Sequence, residues 1–264
     1  MSVKAMETAL QNLKKDYPIF DIDCCIPYWQ DQFLTPAEAE VTPEMLLTEG
    51  LDKIVVTDKN CLADELYEAN ERLLQRVAGN DALYAAPAVI PEMCLGGKDF
   101  EEYLQYLIAH KAVIIRMYPK YMRHSMKPWQ VGRILRAMEA HRIPLMISHT
   151  EVDPDVYGEL AATYPDLPII IEGSDQKTIY NIRYFMGLGE AFKNIYFEMH
   201  NFTEYGFIPY ALQYIGVEQL LFGTYSPYQD FNGLLKFLDM HTTPEQKSLI
   251  FHDNFQRLLN NIRP

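Results

Sequence analysis

Several short apolar runs of this chain end in ionisable side chains, where a buried strand should carry none. The first such run closes with Asp21-Ile22-Asp23-Cys24-Cys25. A period of two puts Asp21, Asp23 and Cys25 on one face, with Ile22 and Cys24 on the other. Later runs repeat the pattern. Arg116 and Tyr118 share a face, His149 ends a run and precedes Glu151, Glu172 precedes Asp175, and Tyr196, Glu198 and His200 alternate. A last run brings Gly223 and Tyr225 to one parity. Charges inside apolar strands are costly unless they are paired, hydrogen-bonded or wet. Carboxylates beside imidazoles suit general acid–base chemistry, and Asp, Cys, His and Glu are also metal ligands.

The expected catalytic groups are Asp23, Cys25, His149, Glu172 and His200, with Asp21, Arg116, Tyr118, Glu198 and Tyr225 as substrate contacts. Each has a plainer alternative. Asp21 can simply bond loop amides at the mouth of the fold. Arg116 is either a counter-ion for Glu172 or Glu198, or the holder of one substrate carboxylate. His149 and His200 are either satisfied core histidines or acid–base groups. Tyr225 reads as a pocket wall. His110, His124, His141, His241 and His252 fall on helices or loops and are expected at the surface. Cys24, Cys25, Cys61 and Cys94 form no C-x-x-C pair, so reduced thiols are expected.

These residues need a scaffold that gathers strand ends. Eight β-rich runs alternate with helical spacing: 19–25, 53–58, 83–90, 112–118, 144–149, 168–173, 195–200 and 220–225. Helices are predicted over 61–78, 100–110, 129–141, 154–164, 176–188, 207–215 and 228–240. Residues 1–17 read as an N-terminal helical extension, and 244–262 as a closing helix. The closing helix starts at Thr243-Pro244, a capping residue before a proline at the first helical position. Eight strands alternating with helices over 264 residues predict a single-domain α/β protein, a TIM (β/α)8 barrel, with an open doubly wound sheet as the alternative. In a barrel the functional face lies at the C-terminal strand ends. No G-x-G-x-x-G follows the first run, and there is no P-loop.

Composition narrows the partners. The chain is 48% hydrophobic and 22% charged, with 36 acids against 23 Lys and Arg and a net charge of −13. Such a surface repels phosphate backbones and anionic lipid, so a small-molecule substrate is expected, with no nucleic acid and no membrane. No run reaches the roughly 20 apolar residues of a membrane span, and the N-terminus lacks the apolar run of a signal peptide, so a cytoplasmic location is expected. Glu151, Asp153, Asp155, Asp175 and Glu204 ring the expected mouth and disfavour a multiply anionic substrate. Phe202, Tyr205, Phe207 and Tyr210 form a candidate apolar patch, so a homodimer is expected; the alternative is that they line the pocket or pack a lid.

The first run, Tyr17-Pro-Ile-Phe-Asp-Ile-Asp-Cys-Cys-Ile-Pro-Tyr28, resembles the first strand of the amidohydrolase-related TIM barrels. Residues 50–57, 70–74, 164–171, 216–228 and 254–259 resemble later segments of that family in the same order. The resemblance implies hydrolysis of a small C–N or C–O bond, or decarboxylation of an aromatic acid. It also implies a divalent metal, held by an Asp-x-His-x-His first strand and by an Asp after strand eight. Here Asp21 matches the leading Asp, the two His positions are Asp23 and Cys25, and Tyr225 stands at the strand-eight Asp. The strand-five His matches His149 or, in the stricter alignment, Ser148; the strand-six His falls at Glu172 or Gly173. No tightly bound metal of the usual kind is therefore expected. The alternatives are a single divalent ion, zinc first, and a metal-free barrel that binds a small ligand or partner without catalysis.

Overall fold

The computed structural model describes residues 3–28, 34–35, 38, 40–63, 65–97, 99–173, 182–202 and 206–264. Its strands are β1 (Phe20–Ile26), β2 (Lys53–Asp58), β3 (Leu83–Ala85), β4 (Ile115–Arg116), β5 (Leu145–Ser148), β6 (Ile169–Glu172), β7 (Ile195–Glu198) and β8 (Leu220–Leu221). Every neighbouring pair is parallel, in the orders β1-β2-β3 and β4-β5-β6-β7-β8. Bridges Ala85–Ala112 and Ala88–Arg116 join the two groups on one side. On the other side Ile22 N donates to Phe222 O at 3.1 Å and Cys25 N donates to Ser226 O at 2.7 Å, which closes the barrel.

The helices α1 (Val3–Asp16), α2 (Pro43–Thr48), α3 (Leu66–Ala78), α4 (Phe100–Ala109), α5 (Pro128–His141), α6 (Pro154–Thr163), α7 (Ile182–Ala191), α8 (Phe207–Tyr214), α9 (Phe231–His241), α10 (Pro244–Ser248) and α11 (Asn254–Asn261) follow the predicted alternation. A π-turn over Leu249–Asp253 joins α10 to α11, so the closing helix runs on as expected. Helix α2 has no counterpart in the sequence reading; Thr42 caps it by accepting from Met45 N at 3.3 Å. Of the helix predicted over 176–188, residues 176–181 lie outside the described residues. Six strands, β3 to β8, are shorter than predicted, with β3, β4 and β8 cut back most. In the run 83–90 the continuous ladder ends at Ala85, just before Pro87, which has no N–H for it, and the chain meets β4 again at the Ala88–Arg116 bridge.

Two apolar layers hold the barrel. Inside it, Phe20, Ile22, Val55, Met146, Ile170 and Leu221 pack together, and Phe255 and Leu258 of α11 plug the N-terminal end. Outside it, Ile54, Val56, Ile147, Ile171 and Phe197 pack against the helices. The inner layer thus fills the lower barrel with hydrocarbon and leaves the upper barrel to polar groups.

The first strand departs from simple alternation. Asp21 pairs with Ile54 and Cys24 with Val56, so Ile22 and Asp23 together oppose Val55. This extra residue is a β-bulge. It turns Phe20, Ile22, Asp23 and Cys25 toward the lumen and leaves Asp21 on the outer parity. Asp21 therefore does not share a face with Asp23. His141 also departs from expectation. It is 7% exposed, its Nε2 bonds Glu101, and its Nδ1 lies 2.6 Å from Arg263 O, tying α5 to the chain after α11.

Candidate active site

The upper lumen is built from residues at or just beyond the strand ends. The bulge in β1 presents Asp23, β4 presents Arg116, β6 presents Glu172, and β7 runs on to Glu198 and His200. All five are at most 2% exposed. Arg116 sits at the centre. Its Nη2 bonds Asp23 Oδ1, its Nη1 lies 3.1 Å from Glu172 Oε1, and Nη1 also donates to the Tyr118 hydroxyl at 3.4 Å. Lys59, in the 3-10 turn after β2, reaches the same Glu172 oxygen at 3.9 Å. Its ammonium lies 4.9 Å from the ring centre of Tyr225 and 5.8 Å from that of Tyr118.

A second group adjoins the first. Glu198 accepts from His200 N at 2.6 Å, from Gly173 N at 3.1 Å, and from His200 Nδ1. His200 Nδ1 also lies 3.6 Å from Asp23 Oδ2, and the imidazole stacks on Tyr225 at 4.7 Å and 8°. Tyr225 takes the left-handed backbone at φ 53°, a strained choice for a tyrosine, with its N–H donating to Asp23 O at 2.7 Å. Gly223 is required here, because a Cβ would come within 2.3 Å of Glu198 Oε1.

These contacts set the protonation states. Burial works against the His200 imidazolium, but Glu198, Asp23 and Glu172 outweigh it and raise His200 to about 9. Burial likewise works against ionised Glu172, but Arg116 and Lys59 bring it down to about 2. Burial opposes the Lys59 ammonium too, and its acidic neighbours, of which Glu172 is the one ionised at neutral pH, turn the net shift upward. Burial pushes the Cys25 thiol up, so it stays protonated and weakly nucleophilic at neutral pH.

Above this cluster a cavity of about 730 Å³ opens at the C-terminal end of the barrel. Lys59, Glu172, Tyr118, Tyr225, Tyr228 and Tyr28 line it. The structure thus brings Asp23, Arg116, Tyr118, Glu172, Glu198, His200 and Tyr225 together, with the Cys25 thiol beside Lys59 and Asp23. It does not bring in Asp21 or His149. Asp21 accepts from Thr224 N at 3.0 Å, Thr224 Oγ1 at 2.6 Å and Asp23 N at 3.0 Å, in the seam between β1 and the chain after β8. For His149 the register is decisive: Ser148 pairs with Glu172 and faces the lumen, so the next residue faces outward. Its ring meets Phe185 edge-on at 6.0 Å and lines a separate cleft beside α6. Lys59 is the buried cation of this cluster that sequence reasoning missed. It lies one residue past the predicted end of β2.

The amidohydrolase family profile matches residues 26–260. The chain belongs to the amidohydrolase family. An uncharacterized TIM-barrel protein from Bordetella bronchiseptica superposes with a TM-score of 0.71 at 15% identity, over 92% of this chain and 99% of that one. A 2,6-dihydroxybenzoate decarboxylase from Rhizobium gives 0.69 at 13%, over 92% and 99%. A dihydroxybenzoic acid decarboxylase from Polaromonas sp. JS666, solved with bound manganese and the inhibitor 2-nitroresorcinol, gives 0.68 at 13%, over 94% and 98%. No curated protein matches the chain significantly. At these identities the structural likeness speaks for the barrel alone.

A family metal meets a poor fit in this amidohydrolase. Asp23, Glu198 and His200 offer ligand atoms within 4.8 Å of one another. Yet Asp23 is bonded to the Arg116 guanidinium, and His200 Nδ1 is bonded to Glu198. Asp23, Glu172 and Glu198 are matched by Arg116, Lys59 and His200, three acidic groups against three basic ones. A divalent ion would add two positive charges to a buried cluster already supplied with its counter-ions, which is costly.

Proposed function

We propose that this amidohydrolase hydrolyses or decarboxylates a small, flat, singly anionic molecule at the C-terminal mouth of the barrel, without a resident metal. The observation that carries the reading is the cavity wall: one buried ammonium, Lys59, among the aromatic faces of Tyr28, Tyr118, Tyr225 and Tyr228. Tyrosine faces suit a planar ring, and a desolvated ammonium suits one carboxylate or phenolate. The 2,6-dihydroxybenzoate decarboxylase among the structural neighbours acts on a molecule of that kind by name.

Within this reading Lys59 holds the anionic group and Glu172 accepts a hydrogen bond from a substrate hydroxyl or amide. Arg116 and Asp23 are positioning residues that hold Glu172 from below. His200, cationic up to about pH 9, is the proton reservoir under Tyr225. Asp21 holds the seam of the barrel and Cys25 packs beneath Lys59. The test is a panel of hydroxybenzoates, aromatic lactones and anilides, followed for CO2 release and for hydrolysis, with Lys59→Met and Glu172→Gln as controls. Turnover lost in both variants supports the reading. Absence of both turnover and binding across the panel refutes it.

The homodimer belongs to the same proposal on reduced grounds. Phe202 and Phe207 pack 5.1 Å apart in the core, and Tyr205 lies outside the described residues. Of that patch Tyr210 is exposed, next to exposed Tyr214 on α8, and Tyr184 is exposed on α7. Light scattering showing a monomer at high concentration would remove it. Among the described residues no helix is long and apolar enough to cross a membrane. A cytoplasmic location is proposed on the four cysteines, all free and buried.

A further inference from the structure

By the resemblance, the family's metal ligands fall at Asp23, Cys25 and Tyr225, at Ser148 or His149, and at Glu172 or Gly173. Arg116 and Lys59 run through this set. The guanidinium bonds Asp23 with one terminal nitrogen and Glu172 with the other, at 3.1 Å, and is 1% exposed. The ammonium of Lys59 reaches Glu172 at 3.9 Å and lies over Tyr225. Arginine suits such a post, because its planar fork stays charged and meets two carboxylates in fixed directions.

We infer that Arg116, with Lys59 beside it, is a built-in cation that takes the electrostatic place of the divalent ion. Two further observations support this. Glu172, one of the two residues to which the resemblance brings the strand-six imidazole, supplies a buried charge that Arg116 and Lys59 balance. Tyr225, at the position of the family's Asp, removes a carboxylate and supplies an aromatic face to the Lys59 ammonium. Both exchanges suit a side-chain cation, and the second also takes a ligand away from a metal.

This inference rests on the family's ligand pattern and not on any turnover, so its test reads composition and melting temperature. Wild-type protein purified without chelator is submitted to elemental analysis and melted with EDTA, Mn²⁺ or Zn²⁺. The expected result is far less than one ion per chain and a melting temperature that none of these moves. Arg116→Ala is expected to melt lower, because it leaves buried carboxylates unpaired. It should regain several degrees with Mn²⁺ or Zn²⁺, about 5–10 °C at a hundredfold excess over the dissociation constant. Methylguanidinium, which fits the void, should restore part of the same loss.

About one ion per wild-type chain, stripped by EDTA with a fall in melting temperature, would overturn the inference. So would an Arg116→Ala protein that folds and responds to neither kind of cation. If that variant does not fold, the wild-type measurements still decide. An inactive wild-type enzyme that passes them would count against the proposed function and leave this inference standing.

Discussion

At Asp21 a carboxyl is fully buried in a seam, with three donors around it and no cation bonded to it. Burial raises it to about 7, above an unfolded value near 4. The folded state therefore binds the proton more tightly, and this group removes stability as pH rises from about 4 to 7. Asp21→Asn keeps the acceptor for Thr224 N and Asp23 N, and should flatten that part of the stability–pH curve in denaturant titrations. Asp21→Ala should instead cost about 2–3 kcal/mol by leaving buried donors unpaired. An Asn variant with an unchanged pH slope would contradict this account of Asp21. Parity made Arg116, Glu172, Glu198 and His200 legible in the sequence, because each lies on a clean alternation, whereas Asp23 reaches the lumen through the bulge. Asp21 was misplaced because a bulge is invisible to a period of two. His149 was misplaced because the last inward residue of its run is Ser148. Lys59 was missed because it belongs to a turn.

Elements deliver these groups, and their ends decide how well. Beyond β8 the chain must pass close to Glu198, and Gly223 alone leaves room. Gly223→Ala should destabilise by about 1–3 kcal/mol, because the intruding methyl meets a carboxylate held by His200. It should also lower the pKa of His200 measured by NMR; an unchanged His200 titration would contradict the contact. The tie between α5 and the chain after α11 is titratable as well. Burial lowers the His141 pKa, and the Glu101 and Arg263 contacts outweigh it, so the net shift is upward. The stability from this tie is full below the ordinary histidine value of about 6.5 and fades as pH rises through the raised one. His141→Gln should cost up to about 1 kcal/mol at pH 6 and less at pH 9, because its partner Glu101 is well exposed. Equal losses at the two pH values would show that packing alone is at stake. The eightfold alternation was legible because short apolar, β-rich runs recur between stretches of helical spacing. Helix α2 was not, because six residues carry too little periodicity.

On the scale of the whole molecule, apolar side chains from the strands and α11 fill the lower barrel, and the charged cluster fills the level above. The cavity opens only beyond that cluster, so a ligand meets Lys59, Glu172 and the tyrosines before anything else. Calorimetric titration of wild-type and Lys59→Met protein with a monohydroxybenzoate, in the absence of added metal, is the most direct test of this arrangement. Wild type should bind, and Lys59→Met should bind about 10–100-fold more weakly, the loss expected for one charge-assisted contact. Equal affinity in the two proteins, or binding by wild type only when a divalent metal is added, would contradict it.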